Sequence, residues 1–243
     1  MQMSNAWYPQ DKKELNGLLE QFLSQEKEAE HRQIHGLIVP HAGYAYSGAL
    51  AGKAYAMLKS TKHKKAIILA PSHYFPLSKA ASHSESEWIT ALGKIRVNQN
   101  GFERTNISQE HAIDNQIPFL QKLGFREILP LVVGEIGIEE AHEIAEKIAG
   151  IKDSIIIIST DLSHFLPYQQ AIKKDGETIK AIESLEPEKL LKIDNCACGI
   201  FPLLILIELC RMKKFMPKLL EYKNSGDITG DKSSVVGYAC FAF

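Results

Sequence analysis

Three apolar runs in this sequence end in histidine. "LIVPH" closes on His41, "IILAPSH" on His73, and "IIIISTDLSH" on Asp161 and His164. Buried strands are ordinarily bounded by turn residues, so imidazole at three such ends asks for a chemical reason. Neutral imidazole is the commonest protein ligand for Zn, Fe, Cu and Ni. Two histidines with one anionic ligand leave coordination positions open for substrate, water or O₂. A third histidine is then free to donate or accept protons. Taken singly, each is equally well a histidine in a capped loop. Three at equivalent positions are not.

The anionic ligand has three candidates: Cys198, Asp161 and Glu110. "DNCACGIFPL" sets Cys196 and Cys198 just ahead of an apolar helix, where the helix dipole lowers a thiol's pKa. The plainer reading of either thiol is a small buried hydrophobe, and the spacing does not say which of the two is functional. "SQEHAID" sets Glu110 and His111 at a helix start, where the carboxylate serves the pocket or simply caps. Cys210 and Cys240 lie in apolar runs and read as core. His31, His35, His63, His83 and His142 stand among polar or charged neighbours and read as surface. "SGDITGDKSS" reads as a turn, and the glycine spacing of "GYAYSG" fits no phosphate-binding fingerprint.

These residues need a sheet to hold them. "HGLIVP", "KKAIILAP", "REILPLVVG" and "DSIIIIST" are short apolar runs suited to strands buried on both faces. "DKKELNGLLEQFLSQEKEAE" has helical spacing with Asp11 and Glu14 as a capping box. "YSGALAGKAYAMLKS" and "GIEEAHEIAEKIAG" read as helices, the latter ending at Gly150. "SQEHAIDNQIPFLQKL" reads as one helix from near Ser108, kinked at Pro118. "EWITALGKIRVN" reads as a hairpin. Two or three helices are expected between Tyr168 and Lys214, and "KLLEYKNSG" and "SSVVGYACFAF" as closing strands. Apolar strands alternating with helices predict an α/β fold, with a mostly parallel or mixed central sheet flanked by helices on both faces. No linker or repeat interrupts residues 1–243, so one domain is expected. In such a fold, ligands bind beyond the carboxyl ends of parallel strands, where His41, His73, Asp161 and His164 would meet. Ala42 and Gly43 would let the chain turn there, with Tyr44 and Tyr46 lining the pocket or packing beneath it.

The chain has 243 residues, 45% hydrophobic and 23% charged, with a formal net charge of -1. That composition is globular and gives no electrostatic pull toward nucleic acid or an anionic membrane. "CGIFPLLILIELC" is too short to span a bilayer and is interrupted by Glu208. Four cysteines and no apolar leader point to reduced thiols in a cytoplasm.

In this order, "WYPQDKKEL", "VPHAGYAYSG", "APSHY", "QEHAIDNQIPFL", "STDLSHF", "CACGIFPL" and "DKSSVVGYA" resemble the MEMO family, called AmmeMemoRadiSam system protein B in prokaryotes. The likeness runs from about Trp7 to Ala239. It implies the LigB-like fold of class III extradiol ring-cleavage dioxygenases, which hold Fe(II) with two histidines and a glutamate. Here it implies His41, His73 and Cys198 as metal ligands. Asp161 and His164 become further pocket residues, His164 acting on protons, and Glu110 and His111 support the pocket. The implied cofactor is Fe(II) or Cu, with Zn as a third choice. A thiolate in place of a carboxylate softens the site and exposes the ligand itself to oxidation, so ring cleavage does not transfer with the fold. Three functions follow. The first is metal-dependent redox or dioxygenase-like chemistry on a small-molecule or peptide substrate. The second is a phosphotyrosine-type peptide-binding module, disfavoured because the pocket motifs contain no arginine. The third is a zinc-dependent hydrolase with Asp161, Glu110 or His164 as base. The resemblance also implies a pathway link to a radical-SAM enzyme and an AMMECR-type domain protein.

Overall fold

A computed structural model describes residues 7–24 and 33–243. His31 and the distal part of the first expected helix lie outside the described residues. The chain opens with α1 (Lys12–Leu23), whose cap Asp11 accepts from the Glu14 backbone amide at 2.8 Å. Then come β1 (Gly36–Val39), a π-helical turn (Tyr44–Gly48), α2 (Ala49–Ala56) and β2 (Lys65–Pro71). Next are β3 (Ala80–His83), the hairpin β4 (Glu87–Thr90) and β5 (Gly93–Val97), and β6 (Glu103–Thr105). They are followed by α3 (His111–Asp114), α4 (Ile117–Lys122), β7 (Glu127–Val133), α5 (Ile138–Ala149) and β8 (Ser154–Ser159). The rest is β9 (His164–Leu166), α6 (Tyr168–Glu183), α7 (Pro187–Leu190), α8 (Ile200–Lys213), β10 (Lys218–Asn224), α9 (Ser225–Thr229) and β11 (Val235–Ala242).

The strands form one mixed sheet in the order β10-β11-β1-β8-β2-β7-β3-β6. Its centre is parallel: β1 with β8, β8 with β2, and β2 with β7. Antiparallel β11 and β10 extend one edge and antiparallel β3 the other. Strand periodicity sends alternate side chains to opposite faces. Leu37, Val39, Ile68, Ile155 and Ile157 join one core, with α1, α2 and α4. Ile38, Ile67, Leu69, Ile156 and Ile158 join the other, with α5, α6 and α8. Covering both faces is what nearly unbroken Ile/Leu/Val runs require. Among the described residues no helix is long and apolar enough to cross a membrane.

Four local readings change. The helix expected from Ser108 is two short ones, because Asn115 and Gln116 are buried and turn their amides to the backbone oxygens of His41 and Pro40. Pro118 does not kink a helix; it occupies the first turn of α4, where its missing N–H costs nothing. His164 lies in β9, which pairs with β11, and not in a loop beyond β8. Of the described histidines expected at the surface, only His142 is exposed; His83 is buried, and His35 stacks on Phe215 with ring centres 4.1 Å apart.

Candidate metal centre

The parallel register decides where the strand ends fall. Val39 sits opposite Ser159, so His41 and Asp161, each two residues further on, emerge at one level. The His41 backbone N–H donates to Asp161 Oδ1 at 2.8 Å. β2 runs parallel on the other side of β8, with Leu69 opposite Ile158, and delivers His73 to the same edge. His111, the first residue of α3, enters from the side. One ring nitrogen each from His41, His73 and His111 lies within 4.8 Å of the others. Ring centres are 5.2 Å apart for His41–His73, 5.3 Å for His41–His111 and 4.6 Å for His73–His111.

Hydrogen bonds fix which nitrogens are bare. Ser159 Oγ donates to the Ala112 carbonyl at 2.6 Å and accepts from Gln116 Nε2 at 2.9 Å. Its single proton is thereby used, so His41 Nδ1, at 3.0 Å, must be the donor. His41 Nε2 therefore carries the lone pair. The Gln116 amide orientation is set in turn by Tyr55, whose hydroxyl donates to Oε1 at 3.0 Å. His73 Nδ1 donates to Glu110 Oε1 at 2.7 Å, leaving its Nε2 bare. A carboxylate behind a histidine is the usual support for a metal-bound imidazole. Glu110 is fully buried and also caps α3 by accepting from Ala112 N–H at 3.1 Å, so one carboxylate both caps the helix and bonds His73. His111 Nδ1 lies 3.0 Å from the Tyr74 hydroxyl, and Trp7 stacks on the His111 ring with centres 4.1 Å apart.

Burial keeps the His41 and His111 rings neutral. Desolvation, then the charges of His111, His73 and His164, push His41 well below its ordinary pKa. Desolvation and then His73 bring His111 down to about 4, with Glu110 opposing. Neutral imidazole is the form that binds metal. The donor set thus fits a transition-metal ion: three imidazole rings at close range, His41 and His111 held neutral by burial.

The expected ligand trio was His41, His73 and Cys198; the close trio of ring nitrogens is His41, His73 and His111. Cys198 is nonetheless adjacent, its Sγ 3.2 Å from His41 Nε2. Typical metal–nitrogen and metal–sulfur bonds, about 2.0 and about 2.3 Å, allow both atoms to reach one ion at that separation. Gly199 permits the approach, since a Cβ there would lie 2.6 Å from Thr160 Cβ. Burial pushes the Cys198 thiol up, and the Asp161 charge adds to this. Cys196 points instead into the core beneath α8 and is raised to about 11, chiefly by burial. Asp161 touches no imidazole ring; it holds the His41 backbone, and burial raises its carboxyl to about 7. His164 stands outside the trio, half-buried and lowered mainly by desolvation. Sequence reasoning missed Ser159, Gln116, Tyr74 and Trp7. The one available signal was the density of polar residues in "EHAIDNQ", too polar for an ordinary core helix.

Residues 1–242 match the Memo-like protein family. A MEMO1 family protein of Thermoplasma acidophilum is 35% identical over 98% of this chain and 95% of its own length. One of Aquifex aeolicus is 32% identical over 99% and 97%, and one of Methanobrevibacter smithii is 36% identical over 85% and 82%. An uncharacterized Escherichia coli K12 protein of solved structure aligns over 85% of this chain and 99% of its own, at 10% identity and a TM-score of 0.49. That likeness is too loose to transfer anything.

Proposed function

This chain belongs to the Memo-like protein family, and we propose that it is a metal-dependent oxidoreductase acting on a small-molecule or peptide substrate. His41 and His73 would hold Fe(II) or Cu through their bare Nε2 atoms, with His111 and Cys198 completing the ligand set from either side. The observation that supports this most is the pairing of each ring with an outer hydrogen-bond partner: Ser159 for His41, Glu110 for His73 and Tyr74 for His111. Such partners set tautomer and ring angle, and metal sites depend on them. A bound ion would supply a Lewis-acid, redox-active centre with room for substrate or O₂. Around it, Asp161 keeps His41 in place, and His164 is the group available to move a proton. The LigB-like dioxygenase fold and a reducing, cytoplasmic setting belong to this same reading.

The test is anaerobic titration of untagged protein with Fe(II), Cu(I) and Zn(II). Stoichiometric Fe or Cu binding, lost in His41→Ala, is expected. Binding of Zn alone would favour a hydrolase using Asp161, Glu110 or His164 as base. Absence of any binding under reducing conditions would overturn both and leave a peptide-binding module. Comparing Cys198→Ser with His111→Gln assigns the remaining ligand, read from the Cu(II) spectrum of each variant, because loss of a ligand atom changes the coordination and not the affinity alone.

A further inference from the structure

On the metal-dependent reading above, we propose that Asp175 of α6 is a positioning residue for the metal centre. It fixes the loop between β8 and β9, and that loop sets both His41 and Cys198.

Asp175 is fully buried. Among the described residues its carboxylate meets a backbone amide and a phenol, not a cation: Oδ1 accepts from the Ser163 N–H at 2.9 Å and Oδ2 from the Tyr222 hydroxyl at 2.7 Å. Burying a carboxylate on such terms is costly, and an apolar side chain would fill the same space at less expense. β11 holds the same loop from its other side. The Gly237 carbonyl accepts from Leu162 N–H at 2.8 Å, and the Gly237 N–H donates to the Ser163 carbonyl at 2.9 Å. A Cβ on Gly237 would lie 2.0 Å from Asp175 Oδ2, so only glycine lets the carboxylate sit against the strand. Leu162 and Ser163 are thus gripped between α6 and β11.

The gripped segment runs directly into the centre. Asp161 Oδ1 accepts from the His41 N–H at 2.8 Å. The Asp161 N–H donates to Cys198 Sγ at 3.3 Å, and the Asp161 carbonyl accepts from Cys198 N–H at 3.3 Å. Thr160 Oγ1 accepts from Gly199 N–H at 2.9 Å. His41 Nε2 and Cys198 Sγ, 3.2 Å apart, are therefore both placed by one loop. Asp175 touches neither of them and acts through Ser163 and Asp161. A site of this kind tolerates little looseness in the groups that hold its ligands.

The test compares four variants. Asp175→Leu keeps the branching and removes both acceptors. Gly237→Ala pushes the carboxylate away from the other side. Asp175→Asn keeps an oxygen for the Ser163 N–H. Leu19→Ala, in the core under α1, is a destabilised control far from the loop. In metal-free protein, the alkylation rate of Cys198 by iodoacetamide is followed by mass spectrometry; the other three cysteines are buried. In loaded protein, Co(II) affinity and the d–d spectrum of the bound ion are read. Asp175→Leu and Gly237→Ala should alkylate several-fold faster, bind Co(II) about tenfold more weakly and shift the spectrum. Asp175→Asn and Leu19→Ala should stay near wild type in all three. Unchanged alkylation and spectrum in Asp175→Leu, an equal change in Leu19→Ala, or no rescue by Asp175→Asn would overturn the assignment. Failure of both Asp175→Leu and Gly237→Ala to fold would make Asp175 a residue of the fold alone and overturn it too. Wild type that binds no Co(II) would sink the metal reading by itself, while the alkylation rates still decide whether Asp175 sets Cys198.

Discussion

Ser159 has one hydroxyl proton and gives it to the Ala112 carbonyl, so it must accept from His41 Nδ1. The Ser159→Ala variant leaves that N–H unsatisfied and lets the ring adopt the tautomer that blocks Nε2. Metal affinity should then fall about 10- to 100-fold, as with other outer partners of metal ligands. Anaerobic titration reads this directly, and unchanged affinity would refute the tautomer argument. His111 supplies a pH prediction. Its pKa falls from the usual 6.5 to about 4 in the folded chain. Between these values the unfolded state holds a proton that the folded state lacks. The stability due to neutral His111 is therefore fully present above the unfolded value and is lost as pH falls toward 4. Metal-free wild type should lose more stability than His111→Gln across that window, on the order of 3 kcal/mol at 1.36 kcal/mol per unit. Asp161 titrates in the opposite sense but is common to both proteins, so it cancels. Parallel urea-unfolding curves at matched pH would contradict the prediction.

At the level of elements, α6 holds the loop that leads from β8 to β9. Asp175 on α6 accepts from the Ser163 backbone N–H at 2.9 Å and from the Tyr222 hydroxyl at 2.7 Å. Gly237 of β11 passes so close that a side chain there would strike the Asp175 carboxylate. One buried carboxylate thus joins α6, β10 and β11 to the residues between Asp161 and His164. Asp175→Ala should cost about 1–3 kcal/mol, because the Ser163 N–H is left buried without an acceptor. An unchanged urea midpoint would show that water replaces the carboxylate. None of this was legible in "YQQAIKKDGETIKAIE", where Asp175 looks like a solvated helix residue. Its burial depends on where β10 and β11 pass, and they lie more than a helix away in sequence.

Across the whole molecule, a single sheet separates two apolar cores. Adjacent residues Ile157 and Ile158 fall on opposite sides. Each truncated to alanine should cost about 2–5 kcal/mol, measured by chemical denaturation. Metal affinity should not change in either, since neither side chain reaches the histidines. Loss of metal affinity in Ile157→Ala alone would mean that the core under α3 holds His111 in place.

The unbroken apolar runs were enough to set parallel strands, helices on both faces and the carboxyl edge where His41 and His73 meet, because burial on both faces leaves a one-dimensional mark in the sequence. His41, His73 and Asp161 were legible for the same reason: each follows a recognisable strand. Tertiary structure alone decided which nitrogens converge. His111 joins His41 and His73 because the Glu110 cap also bonds His73, across 37 residues. The His41 tautomer rests on Ser159, 118 residues away. Of two near-identical thiols, Cys198 faces His41 and Cys196 the core. His83, polar in its local context, is buried at the end of β3 against Trp88 of the hairpin that follows. Periodicity records which face a residue takes. Register and crossover fix what it meets there, and these belong to pairs of segments rather than to either one.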